Sequence, residues 1–183
     1  AYRLTPKGKE DAFGKEAVET LMGVMNEPPG KAPVMVFAGY PDDMSNFMKA
    51  NSGLYRRIAY TFDFPDYTCY EIAEILHVIT KSKGFELDKG GLVAEDEGGG
   101  DDLTAVAAII EEHTLPESRA LMNGGLAERI FSMAKQNLDA RESEKMESEG
   151  DNYRPSVTLL KDDVERACKV IKPPPGIESS SSA

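Results

Sequence analysis

The sequence predicts an α/β piece followed by an all-α piece, and three observations set that class. Two short apolar runs, "VMVFAGY" and "AYTFDF", each follow a helical pattern in the first third of the chain. After "PDY" the apolar residues recur with helical spacing alone. Proline-containing breaks, "NEPPGKAP" and "FPDY", separate these patterns.

From Asp11, which suits an N-cap, "AFGKEAVETLMGVM" places Phe13, Ala17, Leu21 and Val24 at the spacing of one helix face. Two prolines and a glycine in "NEPPGKAP" forbid its continuation. "VMVFAGY" then reads as a strand buried on both faces, as in a parallel sheet. Asp42 or Asp43 opens a short helix bearing Met44, Phe47 and Met48, and "AYTFDF" alternates Tyr60, Phe62 and Phe64 as a second strand. Two strands fall short of the usual open sheet, so we expect further strands upstream of Ala1.

Thr68 and Glu71 form a capping box, followed by Ile72, Ile75, Leu76 and Ile79 on one helix face. "DKGGLVAEDEGGGDD" is expected to be an exposed, flexible loop. Helices are expected around "LTAVAAIIEEH" and "LAERIFSMAKQNLDAR", the latter with Leu126, Ile130, Met133 and Leu138 inward. "ESEKMESEGDNYRPS" reads as a charged loop before a last helix with Val164, Ala167 and Ile171, and "PPPGIESSSSA" as a disordered tail. The boundary between the two pieces is placed near Pro65 to Tyr67. The organisation expected is therefore 1–66, 67–142, 143–172 with the charged loop and final helix, and 173–183.

Bulk properties narrow the function. A net charge of -11 argues against nucleic acid as a main partner, because backbone binding needs clustered Lys and Arg. No apolar run approaches the roughly 20 residues of a membrane span. Cys69 and Cys168 stand far apart without metal or redox spacing, which predicts free thiols in a reducing compartment. His77 and His113 have no partner at ligand spacing and read as ordinary histidines. The acids of "AEDEGGGDD" lack the pattern of a calcium loop, so no metal site is expected in this chain. No signal peptide precedes the first helix and residue 1 is Ala, so the chain is expected to start inside a longer protein.

"AYRL", "FGKEAVETLMGVM", "VMVFAGYPDDM", "FMKANSGLYRRIAYTFDFPDY" and "YEIAEIL" occur in the order, and near the spacing, seen in AAA+ ATPases. The resemblance is to the CbbX (red-type Rubisco activase) and stage V sporulation protein K group, over roughly residues 1 to 140. It implies the C-terminal part of a AAA+ module: the end of the nucleotide-binding α/β subdomain, then the helical lid. It also implies ATP and Mg2+ as cofactors, a homo-oligomeric ring of hexamer type, a protein substrate, and a cytoplasmic or plastid location. The phosphate-cradling G-x-x-x-x-G-K-[ST] loop is absent from the chain, so the chain alone is expected not to hydrolyse ATP.

The resemblance also assigns residues. Arg57 aligns with the arginine of the family's "SR" pair that serves as the finger, Arg56 replaces the serine, and Ser52 stands where proline is common. A guanidinium aimed across a subunit interface at a transferring phosphoryl group is worth ~10³ to 10⁵ in rate. An isolated Arg-Arg pair would otherwise be a solvated loop end. Tyr40 falls at the sensor-1 position, where its hydroxyl could reach the phosphate; the alternative is a packed strand-end ring. In "MNGGLAER", Asn123 and Gly124 match the sensor-2 region, but Gly125 occupies the arginine position. Arg129, one helical turn later, is the compensating candidate. Lys7 and Lys9 belong to a segment that is either a solvated loop or a pore contact. The alternative to a working ATPase is a degenerate, non-catalytic AAA+ interaction module.

Overall fold

Thr68 caps the helix Cys69–Ser82, and its local chemistry shows why the helix starts there. The Thr68 hydroxyl accepts the Glu71 amide at 3.2 Å, while a Glu71 carboxylate oxygen accepts the Thr68 amide at 2.8 Å. The capping box thus satisfies donors that the first helical turn leaves open. The computed structural model describes residues 12–28, 30–50, 52–95, 99–149 and 153–172. The predicted tail, the N-cap at Asp11, and Lys7 and Lys9 lie outside them. The chain divides into two units, Ala1–Asp63 and Phe64–Ala183.

The first unit contains helices α1 (Ala12–Met25), α2 (Pro41–Ala50) and α3 (Ser52–Tyr55). Its core is small: Val18, Phe47 and Leu54 are buried, with Met22, Met25, Phe37, Met44, Met48 and Ile58 packed against them. The rings of Phe37 and Phe47 lie 5.8 Å apart, which adds a tilted aromatic contact to the burial.

The two predicted strands are a correction. Neither "VMVFAGY" nor "AYTFDF" is paired, and no strand occurs among the described residues of this unit. The period-2 pattern is nonetheless present, since Met35 and Phe37 are half-buried while Val34 and Val36 are 95 % and 85 % exposed. Tyr60 and Phe62 stack 6.5 Å apart on one another and are also exposed. Alternation fixes which way side chains point, but a strand also needs a neighbour for its N–H and C=O groups.

The second unit is built on four helices: α4 (Cys69–Ser82), α5 (Thr104–His113), α7 (Gly124–Glu149) and α8 (Lys161–Val170), with a short α6 (Pro116–Met122) between α5 and α7. Ile72 and Leu76 of α4, Val106 and Ile110 of α5, Leu126, Ile130 and Leu138 of α7, and Val164 of α8 form one buried core. Each such aliphatic side chain contributes about 1.5–3 kcal/mol through burial. The expected inward face of α7 is present, with Met133 only half-buried.

Helices do not make up the whole unit, contrary to the all-α expectation. Strand β1 (Glu86–Leu87) pairs in parallel with β4 (Thr158–Leu159), and β2 (Ala94–Glu95) pairs antiparallel with β3 (Asp101–Asp102). The Gly-rich segment expected to be an exposed loop therefore folds back as a hairpin. It buries Leu92 and Val93 in the core, and residues 96–98 lie outside the description. The first part of the segment expected as a second charged loop is helical, because α7 continues to Glu149.

A largely buried polar network joins the end of α7 to the last strand and helix. Glu142 accepts the Tyr153 hydroxyl and the Ser156 amide, the latter at 2.7 Å. Arg141 donates to the Thr158 carbonyl and to Asp163, both at 3.0 Å. These bonds tie α7 to β4 and α8, and α8 packs on α5 and α7. The hydrogen bonds from Tyr153 and then Ser156 hold the Glu142 carboxyl below its ordinary range. Cys69 and Cys168 are free thiols, and burial pushes that of Cys168 up to about 12. Such a thiol stays protonated at neutral pH and is a poor nucleophile.

Candidate functional site

The residues assigned by resemblance fall into two local settings, one in each unit. In the first unit, Arg57 follows α3. Its amide donates to the carbonyl of buried Leu54 at 3.0 Å, which fixes the backbone under the side chain. Its Nε donates to Asn26 Oδ1 at 2.9 Å and an Nη donates to the Gly53 carbonyl at 2.8 Å. The guanidinium is exposed but anchored on one side. Arg56 is exposed beside it. Asn26, in the turn after α1, gave no signal in the sequence, since it meets Arg57 only across 31 residues.

Tyr40 is not a strand-end residue with a packed ring. The ring is 76 % exposed, and its carbonyl accepts the Met44 amide at 2.8 Å at the start of α2. Pro41 follows it at the first helical position, where its lack of an N–H costs nothing.

In the second unit, Asn123 sits between α6 and α7 with φ 46° and ψ -129°. That backbone region is costly for a residue with a Cβ, by about 1–3 kcal/mol. Three hydrogen bonds hold it there. Oδ1 accepts the Tyr67 amide at 3.0 Å, and Nδ2 donates to Asp66 and to the Ala120 carbonyl, both at 2.8 Å. Both amide protons of the side chain are thus engaged inside the protein, so Asn123 acts here as a clip on "PDY". The resemblance places the same residue in the sensor-2 region.

Gly124 faces Tyr67 and Ile75, whose atoms would lie 3.7 and 3.8 Å from an added Cβ. Gly125 is exposed, with nothing within 4 Å of such a Cβ. Arg129 is exposed as well, in keeping with its place one turn along the helix. The start of α7 therefore offers an open Gly125 position and, one turn further on, the exposed Arg129 charge.

A third setting was not legible in the sequence. His77 and Lys81 of α4 both contact Asp101 of β3, Nε2 and Nζ each lying 2.9 Å from Oδ2. Hydrogen bonds from Lys81 and then His77 pull the Asp101 carboxyl below its ordinary value. They border a cavity of about 280 Å³ that also includes Lys89. Among the described residues no group of three or more His, Cys, Asp or Glu could hold a metal ion. No described helix is long and apolar enough to cross a membrane.

Comparison with known proteins bears on the class of molecule. The chain is 27 % identical over 177 residues to the ESX-3 secretion system protein EccA3 of Mycobacterium tuberculosis, covering 91 % of this chain and 27 % of that one. It is 31 % identical over 156 residues to a protein CfxQ homolog of Trieres chinensis, covering 81 % and 50 %. It is 37 % identical over 91 residues to a protein CfxQ homolog of Galdieria sulphuraria, covering 50 % and 30 %. The chain thus spans about a quarter to a half of the length of these curated relatives. These similarities support the class drawn from the sequence, the C-terminal region of a AAA+ ATPase, and do not single out the CbbX and stage V sporulation protein K group within it. The chain belongs to the family described as a domain of unknown function (DUF8495), whose model matches residues 66–172.

Proposed function

We propose that this chain is the sensor, arginine-finger and lid portion of a AAA+ ATPase that hydrolyses ATP in a ring oligomer, of hexamer type, to remodel a protein partner. The observation that carries the reading is the extent of the similarity, which runs through 91 % of the chain in one relative and so includes both units. The anchored Arg57 agrees with it. As phosphoryl transfer proceeds, charge spreads over the transferring group, and a guanidinium held near it stabilises that charge.

The residues present fit a phosphate in part. Arg57 brings a permanent positive charge and donors in a planar fork, and Arg129 a second charge beside the first turn of α7. The described residues include no group of three or more His, Cys, Asp or Glu that could hold a magnesium ion. ATP hydrolysis in the whole protein supplies the driving force. Rubisco activation is one candidate task; the similarity to a secretion system protein makes it one among several.

The test is ATP turnover by the complete encoded protein with and without Arg57→Ala. Turnover is expected to fall by ~10³ or more while nucleotide binding persists. A wild-type rate in the variant would remove the finger assignment. Gly125, open and without a side chain where the family carries an arginine, favours the second reading of a non-catalytic interaction module. Absence of ATP binding by the complete protein would select it.

A further inference from the structure

Arg57 is exposed, yet its guanidinium has a defined orientation. Two acceptors at different heights produce it: Asn26 Oδ1 on Nε at 2.9 Å and the Gly53 carbonyl on Nη1 at 2.8 Å. Because the group is planar, bonds to two of its nitrogens fix the plane as well as the direction. Both acceptors are themselves tied down. Asn26 lies in a turn whose amide donates to the Gly23 carbonyl at 3.1 Å, directly after Met25, which packs against the core of the unit. Gly53 belongs to α3, next to fully buried Leu54.

Both acceptors are also neutral. A carboxylate at position 26 would hold the same nitrogen but would offset the positive charge. An amide oxygen orients the guanidinium and leaves its charge for another partner. Of the five N–H donors of an arginine, two are engaged in this way among the described residues, which leaves three on Nη1 and Nη2 for an anion.

We propose that Asn26 is a positioning residue for Arg57, pre-orienting its free guanidinium edge toward a phosphate; this rests on the finger reading above. Holding the side chain beforehand removes the entropy loss that an exposed arginine would otherwise suffer on reaching the transition state. Asn26 then matters to the rate constant and leaves nucleotide affinity alone.

The complete protein, labelled with 15N-arginine, carries the test. Asn26→Ala is expected to lower kcat for ATP about tenfold, the worth of a hydrogen bond to a charged group, with KM and thermal midpoint unchanged. The Nε–H signal of Arg57, expected to be protected by its bond to Asn26 in the unaltered protein, should broaden or disappear in the same variant. Asn26→Asp should keep that signal and still lower kcat, because its charge offsets that of Arg57. A wild-type kcat in Asn26→Ala, or an unaltered Nε–H signal, with Arg57→Ala inactive, overturns the positioning role and leaves the finger intact. A loss confined to KM or to thermal stability also overturns it. A wild-type rate in Arg57→Ala removes both.

Discussion

Replacing Asn123 separates two effects that the structure superimposes at one residue. Asn123→Ala deletes the acceptor for the Tyr67 amide and the donors to Asp66 and Ala120, while keeping a Cβ at φ 46°. Three hydrogen bonds at about 0.5–1.5 kcal/mol each, partly replaced by water at this half-buried site, amount to about 2 kcal/mol. Asn123→Gly deletes the same bonds but removes the backbone strain, which returns about 1 kcal/mol or more. Glycine should therefore be the milder substitution, the reverse of the order within a helix. Urea unfolding gives the stability change, and hydrogen exchange at the Tyr67 amide reads the clip directly. Tyr67 should exchange faster in both variants. Equal unfolding midpoints for Ala and Gly would refute the strain reasoning, and an unchanged Tyr67 amide would refute the clip.

Two other perturbations test the helical unit and its solvent face. Glu142→Ala leaves the Tyr153 hydroxyl and Ser156 amide without their acceptor and Arg141 with one carboxylate fewer, so a loss of about 2–4 kcal/mol in urea unfolding is expected. The folded carboxyl of Glu142 lies below its ordinary 4.5, so its contribution is complete above that pH and is lost as pH falls through the lower folded value. Glu142→Gln should accordingly flatten the acid limb of the unfolding midpoint against pH, and an unchanged slope would remove that assignment. At Gly125, nothing opposes a Cβ, so Gly125→Ala should stabilise the chain by about 0.5–1 kcal/mol through helix propensity. Gly125→Arg gains less, because a cation at a helix N-terminus is unfavourable, but it should tighten ATP binding by the complete protein in an isothermal titration. No change in affinity would show that this turn does not face nucleotide.

Much of the helical unit was legible because its signals are local. Thr68 and Glu71 cap each other three residues apart, and Leu126, Ile130 and Leu138 repeat on one helical face. The acidic stretches misled for the same reason. Nothing within "DKGGLVAEDEGGGDD" says that Leu92 and Val93 will be buried or that Asp101 will meet His77 and Lys81. Charged residues along the last part of α7 read as a loop, although α-helices carry such residues readily on solvated faces. At the candidate site the sequence pointed to Arg57, Gly125 and Arg129, which are exposed, but not to Asn26 as the partner of Arg57 or to Asp66 and Tyr67 as partners of Asn123, which lie 31 or more residues away along the chain.

Along α1 the packed residues are Val18, Met22 and Met25 and not the expected Ala17, Leu21 and Val24, but by itself the sequence determined the inward faces of α4, α7 and α8, the free thiols, and the order of motifs that places the chain beside AAA+ proteins. These depend on contacts between neighbours a few residues apart or on residue order alone. Tertiary structure decided what spans long separations: β1 beside β4, Glu142 under Tyr153 and Ser156, Asn26 on Arg57, and Asn123 on Asp66 and Tyr67. It also left "VMVFAGY" and "AYTFDF" unpaired in spite of their alternation. A ladder or a clip is a property of two segments meeting, and the periodicity of one segment does not contain its partner.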